Sequence, residues 1–458
     1  MIDKHTPAAR HTAACPGGRD ASRSTRAAFR LGALTVTAVL MVIPAVTLGA
    51  RAAASPAAGR GGAPAARDRV LISATVIERI SEHAVATELA SARLGPHDPA
   101  LGAGRVRYGL VAYRVLYRTV DADGQPVRAS GLVAFPSGGP RRLRLVSYDH
   151  GTSNFKRDVP STFGLDKAGD GIEGRWSAEL FASAGFAVAE PDYVGMGAGP
   201  GRPQYEVAAS EVSASADLLR AAWQIARYRG DTLASGVLVT GFSQGGAAAM
   251  ALGRALQQGA YPGLRVAALA PMSGPYDLIG AEVPGMFNGQ VNAGSAVYLT
   301  GYALTAWNPL YHLYAEPRDA FRQPYASRIA GLFDGYHTYQ QISQALPPTM
   351  RDLYTPGYLR LLRHPAGALR RALIANSTCA GWTPRVPVRL YAARGDRTVT
   401  QVNALHCLQA IRAHHGQVRL VQLGAVSQPA PVPPAFRGHD ISAFIALPKV
   451  LRWFLTFR

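Results

Sequence analysis

The sequence predicts an α/β fold: a mostly parallel sheet with helices on both faces, led by an antiparallel hairpin and interrupted by a helical insertion. Three observations carry this expectation. From residue 143 to 270, and again from 386 onward, short apolar runs alternate with longer amphipathic ones, which is the pattern of strands joined by crossover helices. Ahead of them, residues 107–120 and 127–135 alternate apolar and polar positions around an Asp-Ala-Asp-Gly turn, as a hairpin does. Between the two alternating stretches, residues 272–376 are rich in Tyr, Pro, Leu and Gly and follow neither pattern. An insertion of that length between sheet strands reads as a cap over a site.

Taken in order, residues 1–30 are polar and carry Arg19, Arg23, Arg26 and Arg30. An uncharged run, LGALTVTAVLMVIPAVTLGA (31–50), follows and ends in small residues. A positive region, an apolar core and an A-x-A-like site form a secretory signal. Residues 1–54 are therefore expected to be a cleaved leader and the protein to be secreted. The alternative is an uncleaved membrane anchor, since the run is long enough to span a bilayer. Residues 55–69 are Ala/Gly/Pro-rich and read as a flexible linker. The sheet-bearing core is expected over 70–271 and 377–458, on either side of the cap at 272–376.

Within that core, residues 71–94 have helix-like spacing through Val76, Ile80, Val85 and Leu89. Strands are expected at 143–147, 186–189, 237–239, 264–270, 386–392 and 418–423. Helices are expected at 174–185, 206–229, 244–258 and 400–414, with a terminal one from Ile441. In 206–229, Val212, Ala216, Leu219, Trp223 and Ala226 recur at four/three spacing and give one buried face. The insertion offers helical pieces at 293–306, 324–336, 339–345 and 357–373.

The chain has 458 residues, 48% hydrophobic, enough for a large core. Its formal net charge is +19, yet Lys occurs only at positions 4, 156, 167 and 449, and the Arg residues are dispersed. Nothing resembles a nucleic-acid-binding module, so no nucleic-acid partner is expected. A basic surface still suits transient contact with a membrane or lipid interface. Outside the leader, Cys379 and Cys407 form an even pair, and in an oxidising compartment they are expected to form a disulfide. No HExxH and no Cys/His cluster is present, and no Gly-rich phosphate loop follows a first strand. Neither metal nor cofactor is implied.

The chemistry gathers around VLVTGFSQGGAAA (237–249): an apolar strand, a tight Gly-x-Ser-x-Gly turn and a small-residue helix start. This context projects the Ser243 hydroxyl off the end of a sheet. A serine hydroxyl needs a general base and a group that orients the base. For the acid, Asp396 follows a buried strand in LYAARGD, with Asp277 in SGPYD as its rival. For the base, His439 stands in RGHD between a Pro-rich loop and the last helix, a loop position. His406, His414 and His415 fall on or at the end of a helix. Asp440 beside it reads as a helix N-cap. The oxyanion of acyl transfer needs preorganised N–H donors. The Gln244 amide is one candidate, and the loop after the first parallel strand, YDHGTS (148–153), supplies the other at Gly151 or Thr152.

The motifs YRVLYRTVDADGQPVRASGLVAFP (113–136), VSYDHGT (146–152), GFAVAEPDYVGMG (185–197), GFSQGG (241–246) and RLYAARGD (389–396), with the later His439, resemble the secreted lipase/esterase branch of the α/β-hydrolases. The likeness runs from about residue 107 to the C-terminus, cap-sized insertion included. It implies an α/β-hydrolase sheet, a Ser243–Asp396–His439 triad, ester or lipid substrates and no cofactor. Tyr193 and Gly195 would be structural. The chain departs from the pattern at 427–434, where Pro residues lengthen the loop before His439. The resulting expectation is an exported serine hydrolase cleaving carboxylic esters. An acyltransferase or peptidase could use the same triad, and a hydrolase fold can also serve as an idle binding protein. The insertion's Phe287, Tyr298, Tyr302, Trp307, Tyr311, Phe333 and Tyr336 are expected to divide between the cap's own core and an acyl pocket above Ser243.

Overall fold

The computed structural model describes residues 70–91, 106–164, 170–425 and 438–457. The expected leader, the linker and the Pro-rich loop at 427–434 lie outside the described residues.

Nine strands form one sheet: β1 (Leu71–Ile80), β2 (Gly109–Val120), β3 (Pro126–Ser137), β4 (Leu145–Asp149), β5 (Ala187–Pro191), β6 (Gly236–Phe242), β7 (Arg265–Met272), β8 (Val388–Arg394) and β9 (Val418–Ala425). Their order is β1-β2-β3-β5-β4-β6-β7-β8-β9. The pairs β1/β2, β2/β3 and β3/β5 are antiparallel. Every pair from β5/β4 to β8/β9 is parallel. The expected sheet is thus present.

Strand β1 corrects one expectation, because residues 71–80 are not helical. They pair along β2 with irregularities at Leu71/Ser73 and Val76/Glu78. Ile72, Thr75, Val76 and Ile77 are β-branched and stiff at χ1, which suits an edge strand. The helix begins only afterwards, as α1 (Glu82–Ser91). Ser81 starts it by accepting the Ala84 amide on its hydroxyl at 3.2 Å.

Alternation of side chains divides the core between the two sheet faces. Val133, Phe135, Val237 and Val239 join one cluster with α3 (Ala208–Arg229), α4 (Gln244–Gln257) and α13 (Gln401–Ala413). Leu132, Ala134, Leu238 and Phe242 join the other with α1, α2 (Asp170–Ser183) and α14 (His439–Phe454). In each face the buried apolar stripe of the helices meets the inward positions of the strands, the main stabilising term of such a fold.

Between β7 and β8 the chain makes a π-helical turn (Leu278–Glu282) and then a run of helices. These are α5 (Val283–Phe287), α6 (Ala293–Tyr311), α7 (Pro317–Ala320), α8 (Ile329–Leu332), α9 (Tyr339–Ala345), α10 (Met350–Leu353), α11 (Pro356–Arg363) and α12 (Gly367–Asn376). They carry a third apolar cluster of their own, including Tyr298, Tyr302, Trp307 and Phe333. Two helical expectations are corrected here. Residues 324–336 form only a 3₁₀ turn (Tyr325–Ser327) and the single-turn α8, which stops ahead of Asp334 and Gly335. Residues 357–373 split at His364-Pro365, because a proline disfavours helical backbone in the residue before it.

Candidate active site

Strand β6 ends at Phe242 and α4 begins at Gln244, leaving Ser243 alone between them. Its backbone has φ 55° and ψ −121°, a region that costs a non-glycine residue about 1–3 kcal/mol. The surroundings hold it there. The Ser243 amide donates to the Met272 carbonyl at 2.9 Å. A Cβ on Gly245 would lie 1.8 Å from the Asp149 carbonyl oxygen, and one on Gly241 would lie 2.3 Å from the Gly245 carbonyl oxygen. The flanking positions therefore accept only glycine, and the turn is locked between β4 and α4.

The hydroxyl of Ser243 lies 2.8 Å from Nε2 of His439. Nδ1 of His439 lies 2.6 Å from Oδ2 of Asp396. The other carboxylate oxygen of Asp396 accepts the Thr398 and Val399 amides at 2.9 and 3.1 Å. All three side chains are buried. Burial opposes a charge on His439, but the Asp396 carboxylate beside it, together with Asp440 and Glu282, outweighs burial and holds the imidazole above its ordinary pKa. His439 is the first residue of α14 rather than a loop residue, and Gly438 rather than Asp440 stands at the cap. Asp440 sits in the first turn, where burial pushes its carboxyl up to about 6. Asp277 is placed elsewhere: it accepts the Gly280 amide at 2.8 Å and pairs with His406 at 2.9 Å.

The loop after β4 faces the Ser243 turn. The Gly151 amide donates to Oε1 of Glu173 at 3.1 Å, and the Tyr148 hydroxyl donates to the same oxygen at 2.6 Å. Burial pushes Glu173 up to about 7. Gly151 is therefore committed and cannot serve as the expected oxyanion donor. Among the described residues, no protein acceptor takes the Thr152 or the Gln244 amide. Tyr193 stacks on His150 at 4.5 Å and donates to its carbonyl at 3.0 Å, so it props this loop. Burial lowers His150 to about 4, which keeps it neutral. Beneath the turn, Nε2 of Gln244 donates to Glu211 at 2.7 Å and Ser215 donates to Asp149 at 2.6 Å.

Ser243 opens onto a cavity between the sheet and the insertion. Its wall is mostly aliphatic, with Leu299, Leu304, Leu362, Leu369 and Leu373 from α6, α11 and α12. Of the seven insertion aromatics, only Trp307 reaches this wall. Tyr298, Tyr302 and Phe333 pack on one another inside the insertion. Glu206 and Glu282 are also among the residues lining the cavity. Sequence reasoning missed Glu173, Glu206, Glu211 and Glu282, and isolated carboxylates on amphipathic segments offer no signal by which to find them. Cys379, just past α12, is joined to Cys407 of α13 by a disulfide with Cα atoms 5.3 Å apart. Among the described residues, no group of His, Cys, Asp and Glu could hold a metal ion, and no helix is long and apolar enough to cross a membrane.

No family model and no curated relative matches the sequence. Solved structures do match in fold. The rice cell wall degrading esterase LipA from Xanthomonas oryzae superposes with a TM-score of 0.73 at 25% identity, covering 86% of this chain and 100% of that one. A putative hydrolase from Legionella pneumophila gives 0.73 and 25%, covering 85% and 98%. Candida antarctica lipase A in its closed state gives 0.56 and 16%, covering 80% and 77%.

Proposed function

From the α/β-hydrolase fold that the chain shares with these structures, we propose that it is an exported serine hydrolase of carboxylic esters, working through an acyl-enzyme. The observation that carries this reading is the chain of contacts Ser243–His439–Asp396, at 2.8 and 2.6 Å, on a strained turn at the end of β6. Ser243 Oγ attacks the ester carbonyl while Nε2 of His439 takes its proton. Nδ1–H of His439 donates to Asp396, which fixes the tautomer and stabilises the imidazolium. The Gln244 and Thr152 amides stabilise the oxyanion. His439 then returns the proton to the leaving alcohol, and water attacks the acyl-enzyme by the same base. The aliphatic cavity takes the acyl chain, and the insertion acts as a cap that excludes water. An esterase and a lipase among the structural neighbours agree with ester chemistry.

Export is supported by the signal-like segment at 31–54 and by the disulfide, which persists in oxidising compartments. The positive charge that remains once residues 1–54 are removed, carried mostly by Arg, favours an anionic lipid interface as the place where substrate is met. A fluorophosphonate probe tests the nucleophile: it is expected to label the wild type at Ser243 and to leave a folded Ser243→Ala variant unlabelled. Absence of labelling in folded wild type, together with no turnover of 4-nitrophenyl esters, would overturn the reading.

A further inference from the structure

We propose that Ser273 is a positioning residue for the reaction: its hydroxyl holds the first turn of α14, and with it His439, in place against Ser243 and Asp396. The inference rests on the ester-hydrolase reading and adds a residue to its machinery. Ser273 stands one residue past the end of β7, as Ser243 stands one residue past the end of β6. The two strands are neighbours, with Phe242 in register with Met272. The two serines therefore leave the same end of the sheet side by side.

Three contacts meet at this strand end, one toward each member of the triad. The Met272 carbonyl accepts the Ser243 amide at 2.9 Å. The Ser273 amide donates to the Tyr391 carbonyl at 2.8 Å, on β8, the strand that leads to Asp396. The Ser273 hydroxyl lies 2.9 Å from the hydroxyl of Ser442. Ser442 is three residues beyond His439 and so on the same face of α14. Both serines are buried, so water does not compete for this bond. Gly438 gives α14 no side-chain cap. Beside His439 itself, Ser442 ties the first turn of α14 to the sheet. Neither Ser273 nor Ser442 lines the cavity, so the pair acts on the base and not on the substrate.

The backbone points the same way. Ser273 has φ 46°, a left-handed conformation that glycine adopts freely and other residues seldom do. A glycine at 273 would keep both backbone contacts and relieve the strain. The serine is strained there unless its side chain offsets the cost, and the bond to Ser442 is what that side chain makes.

The test is steady-state hydrolysis of a 4-nitrophenyl ester by Ser273→Gly, Ser442→Ala and the double variant. Ser273→Gly removes the hydroxyl while relaxing the backbone. It is expected to keep Tm nearly unchanged yet to lose kcat about tenfold, the effect of one buried hydrogen bond, with KM unmoved. Ser442→Ala is expected to lose kcat to a similar extent. The double variant is expected to lose no more than either single one, because the two hydroxyls act through one bond. The charged groups that face His439 are Asp396, Asp440 and Glu282, and the variants keep all three. A looser contact with Asp396 lets the imidazole release its proton more readily, so the acid limb of kcat/KM is expected to move to lower pH. A wild-type kcat with an unmoved acid limb in Ser273→Gly overturns the proposal, as do additive losses in the double variant. A lower Tm with kcat and pH profile intact assigns the bond to stability alone and overturns it too. Ser273→Gly decides by itself if Ser442→Ala does not fold. Turnover by wild type that the variants match removes the positioning role alone, whereas no turnover of any ester by wild type removes the hydrolase reading and this proposal with it.

Discussion

Replacing Asp396 by Asn should silence the enzyme while sparing its fold, and the reason lies in the two backbone amides that Asp396 accepts. Oδ1 takes Thr398 N–H at 2.9 Å and Val399 N–H at 3.1 Å. An asparagine can keep both bonds only by placing its own oxygen there. The opposite orientation would strand two buried amides at about 1–3 kcal/mol each. The side-chain NH₂ must therefore face Nδ1 of His439, where a carboxylate oxygen stood at 2.6 Å. Nδ1 can then only accept, so the neutral ring carries its proton on Nε2, 2.8 Å from Ser243 Oγ. In that tautomer the imidazole cannot take the serine proton. The expected loss in kcat is about 10⁴-fold, or roughly 5.4 kcal/mol of transition-state stabilisation. Steady-state hydrolysis of a 4-nitrophenyl ester measures the loss, and thermal unfolding should show Tm nearly unchanged. Asp396→Ala should lower Tm, since both amides lose their acceptor. Asp277→Asn should stay within a few-fold of wild type, because Asp277 serves His406 and a helix start. Activity of Asp396→Asn within tenfold of wild type would refute this account, and an inactive Asp277→Asn would mean that the wrong acid has been assigned.

Because His439 must be neutral to act and binds its proton more tightly than an unperturbed histidine, the acid limb of kcat/KM should lie above about pH 6.5. A pH–rate profile that bends only below that value contradicts it. Removing the disulfide by a Cys379→Ser/Cys407→Ser double substitution, which opens a 28-residue separation, should lower unfolding free energy by roughly 3–4 kcal/mol in a denaturant titration. Alkylation of the native, unreduced protein should find neither thiol. Across unbranched esters from acetate upward, kcat/KM should rise about fourfold per methylene until the cavity is full, at about 0.8 kcal/mol each. Leu304→Trp should shorten the optimum, and a flat wild-type profile would move the acyl group out of this cavity.

The turn around Ser243 is legible in the sequence because each neighbour is dictated locally. Only glycine fits at 241 and 245, where a side chain would strike backbone. Asp396 and His439 follow from their order after the serine and from a strand end, and the structure brings these two to Ser243. Residues 71–80 mislead because their apolar positions satisfy helical spacing as well as strand alternation. What decides is pairing with β2, whose residues lie far along the chain. The insertion aromatics were visible as a group, but composition cannot divide a wall from a core. Tyr298, Tyr302 and Phe333 pack on one another, and the leucines face the cavity with Trp307. The buried carboxyls were not legible at all. Glu211 lies in the first turn of an amphipathic helix, where solvent is the ordinary partner, and only the approach of Gln244 across 33 positions removes it from water.

The loop that carries Thr152 hangs from the insertion. Tyr302 donates to the Ser153 carbonyl at 3.0 Å, and Tyr298 donates to Asn154 at 2.5 Å. Asn154 in turn donates to the His337 carbonyl. Phe155 bridges to Tyr336, and the Lys156 amide bonds to Gly335 at 2.9 Å. The rings that build the insertion's interior therefore also set the height of the proposed oxyanion donor. Divergence in what the protein accepts and divergence in how fast it reacts cannot proceed independently on such a scaffold. A lineage that repacks α6 for a new substrate inherits a displaced amide at position 152 and must restore it by further change in the 153–156 segment or in 335–337. Directed evolution that randomises the α6 wall should accordingly gather its second-round substitutions in those two short stretches.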